Sequence, residues 1–440
     1  MNEVSFIQHI ASLNQKDKDG LNSFINSLNQ TALSALREVA DPNVSDEEWR
    51  FTSLKPLYKE RFTTISGDPQ STLLSQSLMD TGSSARLVFV NGLFHESWSD
   101  VSSIVDFAKV IRFSKADDDE MRLIQTHLNK HIPLGQDAFL LLNTACLHDG
   151  IWINIPKNTE VPHPIHLVFV NTSESTSAHF PRVLITAERS SKATIVEESI
   201  GEVDATYLNV PVLEFDLQQN AHVTHIKLQN DSKKAYHIGR VGASIARDGH
   251  YESYSVQLGA KISRNDIIAT QIEDQMFATL DGLVMIKGDQ VSDTHTLMDH
   301  AKPYGESHQL HKVIVEGAAT SVFNGKIFVR QDAQKVNSFQ ENRNLLLSND
   351  ATVHTKPQLE IFADDVKCSH GATVGQLVPE ELFYLKSRGL DDDAARNMLT
   401  NAFALEVIEH FPIPFLRDRL SEVIAEFTRS ESPESVSLTT

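Results

Sequence analysis

The sequence predicts a mainly β protein with helical regions at both ends. Between Ile151 and Val374, short runs in which apolar and polar residues alternate follow one another with few helical patterns between them. Before residue 150 and after residue 378, apolar residues instead recur at spacings of three and four, which indicates amphipathic helices. The serial strands fit a sandwich, a barrel or a β-helix, and no regular repeat decides among these three.

These shifts in pattern divide the chain into four regions. We expect a mostly helical N-terminal domain at 1–150, a β core at 151–378 and a C-terminal helical domain at 379–428. The Ser-rich residues 429–440 are expected to form a disordered tail.

Local signals place several elements within the N-terminal region. Residues 86–94 predict a strand that turns at Asn91-Gly92, and residues 136–146 predict an apolar helix. The acidic run 117–120 precedes a helical pattern that ends near Leu128. We interpret this acidic run as the solvated start of a helix rather than as a metal site, because acidic residues favour helix N-termini.

The C-terminal region predicts three helices. The first ends at Gly389, and Asp391 caps a second that runs to Phe411. Proline breaks the pattern at Pro412, and a last helix continues through Phe427.

Charge and cysteine content exclude some classes of function. The chain has 440 residues, a formal net charge of -20 and two cysteines, Cys146 and Cys368. An acidic protein is repelled by nucleic acid and by anionic membranes, so neither is expected as a partner. Two distant cysteines do not suggest a disulfide framework, and no run approaches the length of a membrane span. We therefore expect a cytoplasmic protein.

Cys368 and His370 form the chemical focus of the sequence. In a strand, residues two apart point to the same face, so the thiol and the imidazole would lie side by side. Both groups are ligands for zinc, copper or iron–sulfur clusters, but a closed site takes roughly four ligands. The pair indicates half of a metal site completed by another molecule, or else an ordinary buried cysteine beside a solvated histidine.

The segment around this pair resembles a known family. The resemblance is carried by FNGK at 323–326, QEN at 340–342, TKPQLEI at 355–361, DDVKCSHGATVG at 364–375, FYL at 383–385 and SRGL at 387–390. Together they resemble the core signature of the SufB/SufD family, and more specifically its SufD branch. The similarity extends, with weaker matches, back to about Leu141.

The resemblance implies both a fold and a function. The fold is a right-handed parallel β-helix flanked by helical regions that cap its ends. The function is that of a non-catalytic scaffold subunit, which assembles nascent iron–sulfur clusters at a β-helix interface with SufB and docks the SufC ATPase through its C-terminal helices. The sequence leaves open whether the chain forms a homodimer when it is alone.

The resemblance also implies how this chain contributes to the site. His370 is the first choice as an iron ligand and Cys368 the second. The iron or cluster is transient and shared with SufB, and none is expected to stay bound to the isolated chain.

Two alternatives remain at this stage. A SufB-type scaffold usually has more cysteines than the two found here. A carbohydrate-active β-helix enzyme would have to use Asp364, Asp365 and Lys367, although adjacent carboxylates on a strand face opposite ways. No phosphate-binding loop of the G-x-x-x-x-G-K-[ST] type occurs, so ATP hydrolysis is not expected.

Most of the 19 histidines are expected to be incidental to function. His295 with His300, and His308 with His311, are close in sequence without a convincing ligand pattern. His354 is expected one turn of the β-helix from His370.

Overall fold

The computed structural model describes residues 5–15, 22–64, 71–79, 84–135, 137–172 and 176–428. Most of these residues form strands that coil into a parallel β-solenoid, which confirms the predicted fold class. The expected disordered tail lies outside the described residues. Among the helices in the described ranges, none is both long enough and apolar enough to cross a bilayer.

Twenty-one strands are described. They are β1 (Ala85–Val90), β2 (Leu93–Phe94), β3 (Lys109–Arg112), β4 (Ile151–Ile155), β5 (Ile165–Asn171), β6 (Ser177–His179), β7 (Arg182–Ala187), β8 (Lys192–Gly201), β9 (Tyr207–Asn209), β10 (Val212–Leu217), β11 (His222–Asn230), β12 (Tyr236–Ile245), β13 (His250–Gln257), β14 (Ile262–Gln271), β15 (Phe277–Ile286), β16 (Val291–His300), β17 (Glu306–Val315), β18 (Thr320–Val329), β19 (Asn337–Leu346), β20 (Thr352–Ile361) and β21 (Lys367–Gly375).

Eight α-helices are described, five before the main series of strands and three after it. They are α1 (Phe6–Leu13), α2 (Ser23–Leu36), α3 (Lys55–Tyr58), α4 (Asp118–His127), α5 (Ala138–Ala145), α6 (Pro379–Ser387), α7 (Asp392–Ile408) and α8 (Pro414–Thr428).

The strands form two sheets that face each other across the solenoid. The first sheet runs in the order β2-β1-β5-β8-β11-β13-β15-β17-β19-β21, and the second in the order β20-β18-β16-β14-β12-β10-β7-β4-β3. Two short strands also belong to the second sheet, where β9 pairs with β12 and β6 pairs with β9. Every pairing between consecutive turns is parallel and in register, and partners such as Lys227 and Glu197 are 30 positions apart. The inner faces meet in one continuous core that runs from Ala85 to Ala363.

The solenoid is closed at the end where the chain enters it. β1 turns back into β2 through Asn91 and Gly92, whose φ angles of 50° and 84° are those of a tight hairpin turn, as the sequence predicts. At the edge of the other sheet, β3 pairs antiparallel with β4. The region predicted to be mostly helical therefore also contributes β1, β2 and β3 to the sheets.

The two helical regions cover opposite outer faces of the solenoid. Helices α1, α2 and α5 pack on the second sheet through a cluster that includes Phe139, Leu142 and Tyr236. Helices α7 and α8 pack on the first sheet through a cluster that includes Val407 and Leu420. The predicted cap is observed at Asp391, whose side chain accepts a hydrogen bond at the start of α7. The acidic run 117–120 begins α4 as predicted, and the Asp117 side chain accepts hydrogen bonds there as an N-cap that was not predicted.

One expectation about the C-terminal helices is wrong. We expected them to cap the far end of the solenoid, but α7 lies along β15 and β17 on the side. Buried Lys312 donates a hydrogen bond to the Phe403 carbonyl at 2.9 Å and pairs with Glu406, which ties α7 to the sheet. Within the residues that the structure describes, the last turn of the solenoid is therefore left open.

Candidate functional site

The open end of the solenoid is formed by β20 and β21. Within the described residues, β20 pairs only with β18 and β21 only with β19. Lys367 donates its amide to the Val336 carbonyl, and alternate amides of a parallel strand face the same neighbour. The amides of Cys368, His370 and Ala372 therefore point away from β19, along the open edge.

Cys368 and His370 lie side by side on the inward-facing side of β21, as the two-residue spacing predicts. Cys368 is in register with Ser338, and His370 with Gln340. Ser338 and Gln340 are both buried inside the solenoid. The thiol and the imidazole thus continue rows of interior side chains, and they reach solvent only because no further turn covers them.

The rows behind the pair are polar. Ser338 Oγ lies 2.6 Å from Ser307 Oγ, which in turn lies 3.0 Å from His300 Nε2. In the next row, Gln340 Nε2 donates to Gln309 Oε1 at 3.2 Å. From the sequence, Gln340 was noted only as part of the family signature and His300 only among the incidental histidines, and Ser307, Gln309 and Ser338 were not singled out. The signal that could have found this row is polar residues spaced two apart in strands that are otherwise apolar.

Burial controls the chemistry of Cys368. The side chain is half-buried against the apolar core, and this desolvation raises the pKa of the thiol, with a partly opposing hydrogen bond from the Ser338 backbone. His370 is exposed. A metal ion that binds Cys368 would have to displace the thiol proton, whereas the imidazole is accessible directly.

The prediction that His354 lies one turn from His370 is wrong. His354 is on β20, in the other sheet, in register with Val322. Its ring faces outward and stacks on Phe51 with centroids 4.1 Å apart. The error arose because consecutive strands of a solenoid alternate between sheets.

The other histidines singled out from the sequence do not join the pair. Desolvation lowers the pKa of buried His311 to about 3, so this ring is neutral. His295 lies on the outer face of the second sheet, 2.9 Å from the Asp293 carboxylate. At the open end, Asp365 forms an ion pair with Lys335 rather than with Lys367.

Apolar side chains surround the open end. Phe362 is 60% exposed and Val374 51%, and Phe339 and Ile361 are also exposed. Large apolar groups beside an unpaired strand edge are typical of a surface that another protein covers.

The SufBD core domain of the SUF system for FeS cluster assembly matches residues 169–403, and the SufBD N-terminal region matches residues 2–167. The chain belongs to the SufBD family. The core match takes in Cys368, His370, the whole open turn and most of α7, so the family assignment rests on the region that contains the candidate site.

Individual SufBD proteins resemble the chain over most of its length. An iron–sulfur cluster assembly SufBD family protein of Synechocystis is 36% identical over 90% of this chain and 89% of its own length. The iron–sulfur cluster assembly protein SufD of Escherichia coli is 32% identical over 86% of this chain and 88% of its own length. SufD of Bacillus subtilis is 31% identical over 67% of each chain. These relatives support the SufD branch.

Proposed function

We propose that this SufBD protein is a SufD-type scaffold subunit without catalytic activity of its own, on whose open turn an iron–sulfur cluster is assembled together with a SufB-like partner. The observation that carries the proposal is the last turn of the solenoid. It presents Cys368 and His370 next to each other, on interior rows that no further turn covers. Iron and sulfide are the cargo of this site.

The ligand count favours a shared site. Cys368 and His370 supply one sulfur and one nitrogen, and a cluster takes roughly four ligands, so the remaining ones come from the partner. The amides of both residues face the open edge, so a partner strand added there would run directly beside the ligands. His370 is the distinctive contribution of this chain, because a partner can supply other thiolates.

The C-terminal helices are the proposed docking surface for a SufC-like ATPase. Phe383 on α6 is 75% exposed and Tyr384 57%, while Met398 on α7 and Phe415 on α8 are also exposed. Glu406 of α7 pairs with Lys312 on β17 and with Arg343 on β19, at 3.0 Å for the latter. A movement of the docked ATPase would therefore be transmitted to strands next to the open turn as a rigid-body shift.

The test is co-expression of the tagged chain with SufB and SufC candidates, followed by anaerobic purification and analysis of iron and sulfide. His370→Ala is expected to leave the complex intact and to reduce cluster content more strongly than Cys368→Ser does. His354→Ala is the matched control, because this imidazole lies on the outer face and stacks on Phe51. It should behave like the wild type.

Two results would contradict the proposal. If neither a scaffold nor an ATPase partner co-purifies, the SufD-type role is wrong. If the complex forms but Cys368→Ser lowers the iron and sulfide content as much as His370→Ala does, or more, the assignment of His370 as the distinctive ligand is wrong.

A further inference from the structure

A second group of ligand-type side chains lies far from the open turn, on the outer face of the second sheet. One ring nitrogen each of His127 and His131 and one carboxylate oxygen of Asp216 lie within 4.8 Å of one another. It is the one group of at least three such side chains found in the ranges that the structure describes. Five strand spacings separate β10, which carries Asp216, from β20, or roughly 24 Å.

The sheet supplies a rigid platform for this group. Asp216 on β10 is in register with Ser244 on β12, so the two side chains are neighbours on the same outer face. His127 Nδ1 lies 2.8 Å from Asp216 Oδ2, and His131 Nδ1 lies 2.9 Å from Ser244 Oγ. Each histidine is thus held by one of two adjacent strand residues.

The backbone that carries His131 is fixed closely against the sheet. Buried Glu214 accepts hydrogen bonds from the amides of Asn129 at 3.0 Å and of His131 at 3.2 Å. Gly242 provides the space for this approach, because a Cβ at that position would lie 2.5 Å from the His131 carbonyl oxygen. Arg182 pairs with Glu214, which balances the charge of that carboxylate.

His131 retains an unused nitrogen. The residue is 7% exposed, and its Nε2 is buried without a hydrogen-bond partner. Such a buried polar atom is costly unless a ligand or a water satisfies it. Desolvation lowers the pKa of this imidazole, so it is neutral at pH 7 and able to donate its lone pair. The bond from Nδ1 to Ser244 orients the ring as outer hydrogen bonds usually orient metal-binding histidines.

The position is also accessible to an ion and electrostatically suited to one. The side chains of His127 and Asp216 are 20% and 13% exposed, so the group opens to solvent on one side. His127 is the last residue of α4, where the helix dipole favours positive charge.

We propose that His127, His131 and Asp216 bind a divalent transition-metal ion of the zinc or iron(II) class. Two imidazoles and one carboxylate form a donor set that both ions accept, with water in the open positions. The ion would take the place of the direct contact between His127 Nδ1 and Asp216 Oδ2. Because both histidines come from the N-terminal region and the carboxylate from the solenoid, the ion would also cross-link these two parts. The proposal does not depend on the role proposed for the open turn.

The test is titration of the purified full-length, metal-free chain with Zn²⁺ by calorimetry and with Co²⁺ by visible absorption. One equivalent is expected to bind to the wild type and to raise its melting temperature. Asp216→Asn, which keeps the shape of the side chain, and His127→Ala are each expected to weaken binding by at least about 10-fold. Competition between Zn²⁺ and anaerobic Fe²⁺ then identifies which ion is preferred.

The matched control is His222→Ala. His222 and His250 are also parallel imidazoles, with ring centroids 4.1 Å apart, but they lie on the first sheet and outside any three-ligand group in the described residues. This variant should bind Zn²⁺ like the wild type. Absence of stoichiometric binding to the wild type, unchanged affinity in both Asp216→Asn and His127→Ala, or loss of binding in His222→Ala would each overturn the proposal. Circular dichroism of the metal-free variants separates loss of the site from loss of the fold.

Discussion

At the scale of single residues, His295 links stability to pH. Burial alone would lower the pKa of this imidazole, but the Asp293 carboxylate 2.9 Å away and Glu48 at 3.1 Å outweigh burial and raise the pKa to about 9. A histidine whose pKa is higher in the folded state than its ordinary value near 6.5 stabilises the fold fully below that value. This contribution is lost as the pH rises through about 9.

We therefore expect the free energy of unfolding to fall between pH 6.5 and pH 9. The pH-dependent part of the free energy of unfolding that comes from His295 is on the order of 3 kcal/mol, because each unit of pKa shift corresponds to about 1.4 kcal/mol. Urea denaturation at several pH values measures it, and His295→Gln should flatten the profile. His354→Gln is the control, and an equal slope in wild type and His295→Gln would contradict the assignment.

The burial of Cys368 predicts how fast its thiol is alkylated. Since burial raises the pKa of this thiol, little thiolate is present at pH 7, and alkylation by iodoacetamide should be slower than for glutathione at the same pH. The rate should increase steadily above the ordinary thiol pKa. Cys146 is 1% exposed, so mass spectrometry of the folded chain should find label at Cys368 alone. Fast labelling at pH 7 would show instead an activated thiolate.

Individual residues also show where sequence reasoning succeeds. That Cys368 and His370 point to the same face follows from strand geometry, which depends only on residues that are neighbours in sequence. The interior positions of Ser338 and Gln340 behind them were missed, because their pairing with β21 joins residues 30 positions apart. His127 and His131 were missed because their partner Asp216 comes from a strand that is distant in sequence.

At the scale of elements, the contact between α7 and the first sheet depends on a buried lysine. Lys312 is 1% exposed at its side chain, and desolvation lowers its pKa, whereas the bond to Glu406 opposes this shift. Glu406→Ala would leave the ammonium group with fewer partners in a buried position.

We expect Glu406→Ala to lower the free energy of unfolding by roughly 1–2 kcal/mol, a moderate value because the glutamate is partly exposed. The matched control is Lys386→Ala, which breaks an exposed pair with Asp392 and should lower the free energy of unfolding much less than Glu406→Ala does. Urea denaturation measures both variants. If both variants lower the free energy of unfolding by the same amount, the pairing of Glu406 with buried Lys312 does not contribute more to stability than an exposed pair.

Element boundaries were well predicted where a local signal sets them. The acidic start of α4, the cap at Asp391 and the turn at Asn91-Gly92 each depend on residues that are close together in sequence. The placement of α7 on the side of the solenoid was not predicted, because it depends on outward-facing apolar residues from several turns, such as Leu228 and Met285, that come together only in the folded chain.

At the scale of the whole molecule, the open edge predicts self-association when no partner is present. The Ala372 amide faces away from β19, so Ala372→Pro removes a donor from the open edge without removing a bond within the sheet. We expect the wild type to dimerise at micromolar concentration and Ala372→Pro to dissociate at least about 10-fold more easily. Sedimentation measures this.

Ala372→Ser retains the amide and is the control for the proline variant. It should dimerise like the wild type. A proline variant as dimeric as the wild type would place the self-association surface elsewhere on the molecule.

Without the family resemblance, the sequence pattern fits a sandwich, a barrel or a β-helix equally well. The structure explains why no repeat was visible: His250 pairs with Phe277, whereas Glu306 pairs with Asn337, so the length of a turn changes along the chain. Buried polar and charged residues such as Glu197, Lys227 and Gln340 also interrupt the apolar rows, so the turns share no common side-chain pattern. Resemblance to a family was needed to choose the β-helix.

The closed end of the solenoid also has a consequence for synthesis. The hairpin of β1 and β2 lies early in the chain, so it leaves the ribosome before the strands that stack on it. Each later turn can then add to a completed template, in the order of translation. The turn with Cys368 and His370 is the last of the solenoid to be translated and to fold. Its unpaired edge is therefore exposed for the shortest time before it can be covered.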